Sequence, residues 1–284
     1  MDYKRNYYFF NSMGKRDESE WQNAFGLGMS LQDLGDTLTR DMPFDTNVSV
    51  SLMGGQQSKT CIVAEKDYST PLLRVDDIYI YQTGNGEGSF IGIDEIRIDP
   101  KKRFPELKGQ GLGKIFLANC VELCEKLNIP RIRLTAGREN GALFWARHGF
   151  DIEKMSERDN FWKTKDNYDA IARKLSPQTR QIVEDAFQIA KEDAYHARPS
   201  KANRILANID EEIDGMPVRE LLFEGVEYRA FLDLNDMEQR QAYDHSMRYI
   251  KKIRHQAENI PDKLFPKDKI RQTPDSSNRI ISVD

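Results

Sequence analysis

Cysteine and histidine are both scarce in this chain, with three and four respectively among 284 residues. An odd, low cysteine count excludes the disulfide framework that holds small secreted domains together, and it fits a reducing compartment. Cys120 and Cys124 stand four apart on one face of a predicted helix, yet no histidine or further cysteine lies at ligand spacing from them. They read as small buried hydrophobes, and no metal is expected. Long apolar runs are missing too. No stretch approaches the roughly 18 residues that a membrane-spanning helix needs, so no membrane partner is expected. The cluster Tyr7-Tyr8-Phe9-Phe10 is too short for the core of a signal peptide, and a cytoplasmic location is expected. Nor is there an excess of positive charge. With 42 basic against 46 acidic residues the net charge is -4, which disfavours nucleic acid as a partner.

What is present describes a folded, water-soluble protein: 39% hydrophobic and 31% charged residues, with a mean hydropathy of -0.68. The length suits one large domain or two ordinary ones. Apolar residues recur at helical spacing from Ser19 to about Arg40, interrupted by Gly26 and Gly28. Short strand-like runs follow at Asn47 to Met53, Thr60 to Ala64, Asp77 to Tyr81 and Phe90 to Ile98, an antiparallel meander with turn residues between. A helix is predicted from about Gly111 to Leu127 and a strand over Arg131 to Thr135. A second helix from about Asn140 to His148 should end at Gly149 in a left-handed cap. Two short final strands are expected at Phe150 to Ile152 and Phe161 to Lys163.

Beyond Asp166 the pattern becomes helical. Tyr168 to Leu175 and Ser200 to Asp214 read as helices. Ser176-Pro177 is an N-cap with proline at the first position, opening a helix to about Tyr195. Leu221 to Tyr228 suggests a hairpin, and Asn235 with Glu238 suggests a capping box before a long last helix. That helix carries the basic cluster Arg248, Lys251, Lys252 and Arg254, read as a solvated face. The chain thus divides into a mixed α/β (α+β) domain, 1–165, and a mainly helical region, 166–284, fraying from about 271.

One stretch organises the first domain. Lys108-Gly109-Gln110-Gly111-Leu112-Gly113-Lys114 alternates glycine with larger residues and runs straight into an apolar helix. Glycine lets the backbone come close to a ligand, and the first helical turn leaves amides unpaired at the positive end of the dipole. Such a loop suits a phosphate or pyrophosphate. It is not a Walker A loop, because Ile115 follows Gly113-Lys114 where a serine or threonine is needed. Nor does the Gly-x-Gly-x-Gly spacing after an antiparallel meander match a dinucleotide fingerprint.

The strand Ile93 to Ile98, Asp99-Pro100, the glycine loop, and the terminal Ala142-Leu143-Phe144-Trp145-Ala146-Arg147-His148-Gly149-Phe150 together resemble the GNAT superfamily of acyl-CoA-dependent N-acyltransferases. The resemblance covers about Thr46 to Lys165 and is densest between Ile93 and Phe150. It implies a mixed, mostly antiparallel sheet with flanking helices. It implies acetyl-CoA as acyl donor, with its pyrophosphate on the backbone of Gly109, Gln110, Gly111, Leu112 and Gly113, flanked by Lys108 and Lys114. It also implies that the strand before the loop splays from its parallel neighbour, placing Ile96, Arg97 and Ile98 beside the pantetheine arm and Arg131 to Thr135 across the gap. Asn140 sits nearer the aromatic than the family's cofactor-contacting asparagine. Three further departures stand out: Lys108 replaces the usual arginine or glutamine, the connector Lys101 to Leu107 is long, and Trp145 stands where many members carry a proton-donating tyrosine.

Acyl transfer to an amine requires a neutral amine, a stabilised oxyanion and a protonated or tolerated thiolate. Glu95, on the strand before the loop, is the candidate base or ammonium-binding group; by alternation it shares a face with Arg97 and opposes Asp94. Indole cannot serve as an acid, so Trp145 cannot take over the tyrosine's task. Tyr81, with Tyr79, is a candidate acid from the neighbouring strand, and His148 a candidate proton carrier. The expected activity is acetyl-CoA-dependent N-acetyl transfer to an amine of a small molecule or a protein, with a homodimer as a possible assembly. The alternatives are a non-catalytic acyl-CoA-binding protein that kept the fold, and a structural or interaction protein working through its helical region.

Overall fold

The computed structural model describes residues 5–10, 29–42, 46–52, 57–64, 73–81, 88–98, 111–137, 141–155, 160–248 and 250. Eight strands form one sheet: β1 (Arg5–Phe10), β2 (Thr46–Leu52), β3 (Gln57–Ala64), β4 (Leu73–Tyr81), β5 (Phe90–Ile98), β6 (Arg131–Ala136), β7 (Asp151–Ile152) and β10 (Tyr228–Asp233). Their spatial order is β1-β2-β3-β4-β5-β6-β10-β7. The meander β2 to β5 is antiparallel throughout, whereas β1 joins β2, and β5 joins β6, in parallel. The sheet is therefore mixed and mostly antiparallel, with helices around it.

Alternation along the strands sets the two faces. Ile78 and Ile80 of β4, Ile91 and Ile93 of β5, Ile132 and Leu134 of β6, and Ala230 and Leu232 of β10 are buried. Helix α1 (Leu31–Leu38) and helix α2 (Leu112–Leu127) lie together, and α2 packs on β5 and β6. Ser30 caps α1 in a reciprocal box with Asp33. Inside α2, the fully buried Asn119 donates from Nδ2 to the carbonyls of Leu38 and Arg40, 2.9 Å each. Those carbonyls stand at the end of α1, where helical partners run out, so one buried amide closes both helices together. Helix α2 stops at Asn128, held left-handed at φ 52. Cys120 and Cys124 lie in its buried face, where burial pushes both thiols up and leaves them unreactive.

Helix α3 (Gly141–Arg147) follows β6 and ends as expected at Gly149, left-handed at φ 92. From there the structure departs from several expectations. Asn160–Trp162 is a turn of 3₁₀ helix rather than a strand, and it feeds α4 (Lys163–Ile171). Phe161 is buried there against Tyr228 rather than paired in a ladder. Helix α5 (Pro177–Tyr195) opens at Ser176, whose hydroxyl accepts from the Thr179 amide at 3.2 Å. Helix α6 (Ala202–Ala207) is shorter than the predicted Ser200 to Asp214. Asp214 and Gly215 both adopt positive φ, so they make a two-residue hairpin turn between β8 (Glu212–Ile213) and β9 (Met216–Pro217). In place of a hairpin at Leu221 to Tyr228, helix α7 (Val218–Leu222) leads through Gly225 into β10. The last helix, α8 (Met237–Ser246), is capped by Asp236, one residue after the predicted Asn235.

The largest difference lies in β10. The stretch expected to form a separate helical region returns a strand to the sheet, pairing antiparallel with β6 over all six residues and with β7. Helices α4 to α7 are thus an excursion between two neighbouring strands of one sheet. Asn203 on α6 ties the excursion down, donating to the Phe150 carbonyl at 2.8 Å and to the Tyr228 hydroxyl at 3.0 Å. That hydroxyl donates in turn to the Ala142 carbonyl at 2.7 Å.

Candidate functional site

Strands β5 and β6 are in register only from Phe90 with Arg131 to Ile93 with Leu134. Both continue beyond that point, β5 to Ile98 and β6 to Ala136, without pairing with each other. Parallel strands that part in this way leave a fork, and among the described residues the β5 arm has no partner strand on this side, an edge that suits an extended ligand. On its other side β5 stays paired with β4 as far as Leu73 with Ile98, so the free edge is held rigid.

Helix α2 begins after the fork. Its N-cap, Gly111, is left-handed at φ 75 and offers no side-chain cap, and the first helical bond runs from the Ile115 amide to the Gly111 carbonyl at 2.9 Å. The amides of Leu112, Gly113 and Lys114 therefore have no partner within the helix, and no acidic side chain occupies the first turn. Gly113 has a second task. A Cβ there would lie 3.2 Å from the Phe144 ring of α3, so the missing side chain lets α3 close against α2.

Trp145 is buried in the core, with its ring edge-on to Phe144 at 4.8 Å and to Phe150 at 5.0 Å. Phe144 also stacks on His148 at 4.2 Å. The His148 ring donates from Nδ1–H to the Phe144 carbonyl, 2.6 Å away, since a carbonyl oxygen can only accept. Its buried Nε2 has no partner among the described residues. Burial holds the imidazole neutral, lowering its pKa to about 4, and nearby Lys114 and Arg147 push the same way. A neutral, enclosed histidine is a poor carrier of protons at neutral pH.

Tyr81 and Tyr79 of β4 are half-buried on the sheet face opposite the core, with Tyr81 leaning on Phe90 at 5.3 Å. They line a cleft of about 370 Å³ together with Gly92, Arg133, Thr135, Arg229 and the last paired couple before the fork, Ile93 and Leu134. Glu95 lies in β5 with its backbone opposite Asp76. The side chains of Glu95, Ile96, Arg97 and Ile98 lie outside the described residues, as do Lys108, Gly109, Gln110 and Asn140 entirely.

The same face of the sheet holds a second, larger cavity of about 630 Å³, walled on one side by β6 and β10 and on the other by the end of α5 and the segment leading to α6. Arg133 and Glu153 line both spaces. Five cations line the larger one, and each has a carboxylate: Arg131 with Asp233 at 2.7 Å, Arg133 with Glu153 at 2.9 Å, Lys201 with Glu238 at 3.0 Å, Arg198 with Asp193, and Arg204 with Asp151. The Arg133–Glu153 contact is an ion pair whose angle falls short of a hydrogen bond at Nε. The Arg133 guanidinium also lies over the Phe90 ring, 4.4 Å from its centre. Asp151 is buried, and it also accepts from Gln239 Nε2 at 2.9 Å. Burial raises its pKa to about 6 in spite of the stabilising bonds from Arg204 and Gln239.

Several solved structures are similar to parts of this chain, and two of them are acetyltransferases. Nourseothricin acetyltransferase is 13% identical, with a TM-score of 0.25 over 36% of this chain; the chain spans 55% of that protein's length. A Bacillus subtilis acetyltransferase in complex with CoA is 15% identical, with a TM-score of 0.28, over 62% of this chain and 77% of that one. These are distant likenesses. No known family's sequence pattern matches the chain, and no curated protein matches it in sequence. Among the described residues, no helix is long and apolar enough to cross a membrane, and no group of three potential metal ligands is found.

The sequence pointed to the loop, to α2 and to β5. It placed Arg133 only across the gap from the pantetheine arm, and it did not point to Glu153, Arg229 or the larger cavity. The alternation in Arg131-Ile132-Arg133-Leu134 already put two arginines on one strand face. The partners that make a cavity of that face, β10 and α5, lie up to a hundred residues further on.

Proposed function

We propose that this chain is an acetyl-CoA-dependent N-acetyltransferase of the GNAT type, and the observation that carries the reading is the fork between β5 and β6 with the open-ended helix α2 after it. The free edge of β5 beyond Ile93 suits an extended pantetheine arm, and the unpaired first-turn amides of α2 suit a pyrophosphate. Gly111, Leu112, Gly113 and Lys114 would hold the phosphates, together with the loop Lys108 to Gln110. The backbone of Ile96, Arg97 and Ile98 would hold the arm, and Asn140 is a further cofactor candidate.

In the reaction, the acceptor nitrogen attacks the thioester carbonyl, a C–N bond forms, and the C–S bond breaks as the tetrahedral intermediate collapses. Glu95 takes the amine proton or holds the ammonium nearby. A proton must reach the thiolate, and Tyr81 is assigned that role because its ring lines the cleft at the fork. Trp145, packed between Phe144 and Phe150, supplies shape and no proton. Its burial also favours a second reading, in which the chain binds acyl-CoA without turning it over.

Incubation of the purified chain with acetyl-CoA and a panel of amines decides between them. Thiol release above background supports transfer; CoA binding by calorimetry without release supports the non-catalytic reading, and no CoA binding defeats both. Tyr81→Phe should lower kcat about 100-fold, the low end for loss of a general acid, with CoA affinity unchanged. An unchanged kcat would remove Tyr81 from the mechanism.

A further inference from the structure

We infer that the larger cavity, between the inserted helices and the β6–β10 face, is where the acceptor sits, and that this acceptor is a small molecule with at least two cationic nitrogens. The inference rests on the acetyl-transfer reading and adds the substrate class to it.

The cavity is in the right place. It shares Arg133 and Glu153 with the cleft at the fork, so a molecule seated in it can extend one end to where the acyl group would arrive. It also has the right size. At about 630 Å³, with a further 370 Å³ in the cleft, it falls within the roughly 300–1,000 Å³ typical of sites for small ligands.

Charge then selects the ligand. Seven carboxylates line the cavity against five cations. Once the five ion pairs are counted, Glu192 and Asp236 are left without a cationic partner among the described residues. One oxygen of Asp236 caps α8 by accepting from the Gln239 amide at 2.9 Å, and the other is left over. Asp236 also stands close enough to Asp151 to oppose its ionisation. A concave wall with two surplus negative charges concentrates cations and repels anions. A monoamine that enters the cleft to be acetylated leaves both surplus charges uncompensated. A molecule with further protonated nitrogens answers them from within the cavity while its free amine reaches the fork. The acceptor nitrogen loses its proton as the C–N bond to the acyl carbon forms, and the departing sulfur gains one. The nitrogens in the cavity keep theirs, so the balance at the wall is the same before and after transfer.

The test compares spermidine with n-butylamine and with a lysine-rich peptide, in thiol-release assays with acetyl-CoA and the full chain. Spermidine binding is followed separately by calorimetry without acetyl-CoA. Spermidine should be the best acceptor of the three. Glu192→Gln should reduce the spermidine-to-butylamine ratio of kcat/KM by about threefold, the scale of one partly exposed charge pair. Asp236→Asn keeps a capping side chain and should act in the same direction. Equal use of spermidine and butylamine, preference for the peptide, or a ratio unmoved in both variants overturns the inference and leaves acetyl transfer standing. Spermidine binding that Glu192→Gln weakens, in a chain that does not bind CoA, overturns the acetyl-transfer reading and supports the cation site.

Discussion

Gly149→Ala is the substitution that probes most directly whether α8 belongs to the body of the protein. Gly149 sits at φ 92, where a Cβ costs roughly 1–2 kcal/mol by itself. The added carbon would lie 2.7 Å from the Gln239 carbonyl oxygen and 3.0 Å from the Tyr243 amide nitrogen. Both are backbone atoms of α8, so no side chain can swing aside; the helix must move, and overpacking of that kind costs about 1–3 kcal/mol more. The expected loss is therefore about 2–5 kcal/mol. Gly215→Ala supplies the reference. Gly215 has a similar φ of 80 but nothing within 4 Å of its missing Cβ, so it reports the backbone cost alone. Urea unfolding of the two variants, with m-values compared, isolates the contact with α8 as the difference between them. Equal losses would mean that α8 does not press on Gly149, and the packing described for the last helix would be wrong.

Three further predictions follow from the same geometry. His148, held neutral to about pH 4, contributes stability above pH 6.5 that is lost as pH falls, while Asp151, raised to about 6, contributes stability below its ordinary value of 3.8 that is lost as pH rises through 6. At about 1.4 kcal/mol per unit the two are each on the order of 3 kcal/mol and nearly offset between pH 4.5 and 6, so His148→Leu should make the urea midpoint rise on acidification and Asp151→Asn should make it fall; the same slope in both would refute the assignment. Glu95→Gln should lower kcat/KM for the acceptor by about 100-fold or more while calorimetry shows CoA binding intact, and a loss of CoA affinity instead would make Glu95 structural. Deleting 166–284 should yield a chain that does not fold cooperatively, since it removes β10 from the edge of β6; a sharp unfolding transition in the truncated chain would contradict that.

The truncation shows where sequence reasoning reaches its limit. Local signals carried many elements well: apolar spacing along α2, the glycine at its start, Ser176-Pro177 at the head of α5, and Gly149 after α3 each mark an element through the residues inside or beside it. Strand β10 has an equally clear alternation, with Tyr228, Ala230 and Leu232 buried and Arg229, Phe231 and Asp233 facing away. What the alternation cannot state is its partner. Asp233 pairs with Arg131, in register and through an ion pair at 2.7 Å, across about a hundred residues of intervening chain. A change from strand-like to helical composition near Lys165 therefore resembles a domain boundary, although the sheet is still one strand short there. The unpaired edge of β6 is the physical reason the chain must come back, because buried backbone donors and acceptors require partners. The same return builds the candidate acceptor site. Arg131 and Arg133 on β6 become one wall of a cavity only when β10 lies beside them and α5 stands opposite. Residues that read singly as surface charge on a strand thus come to share one cavity wall through the return of β10.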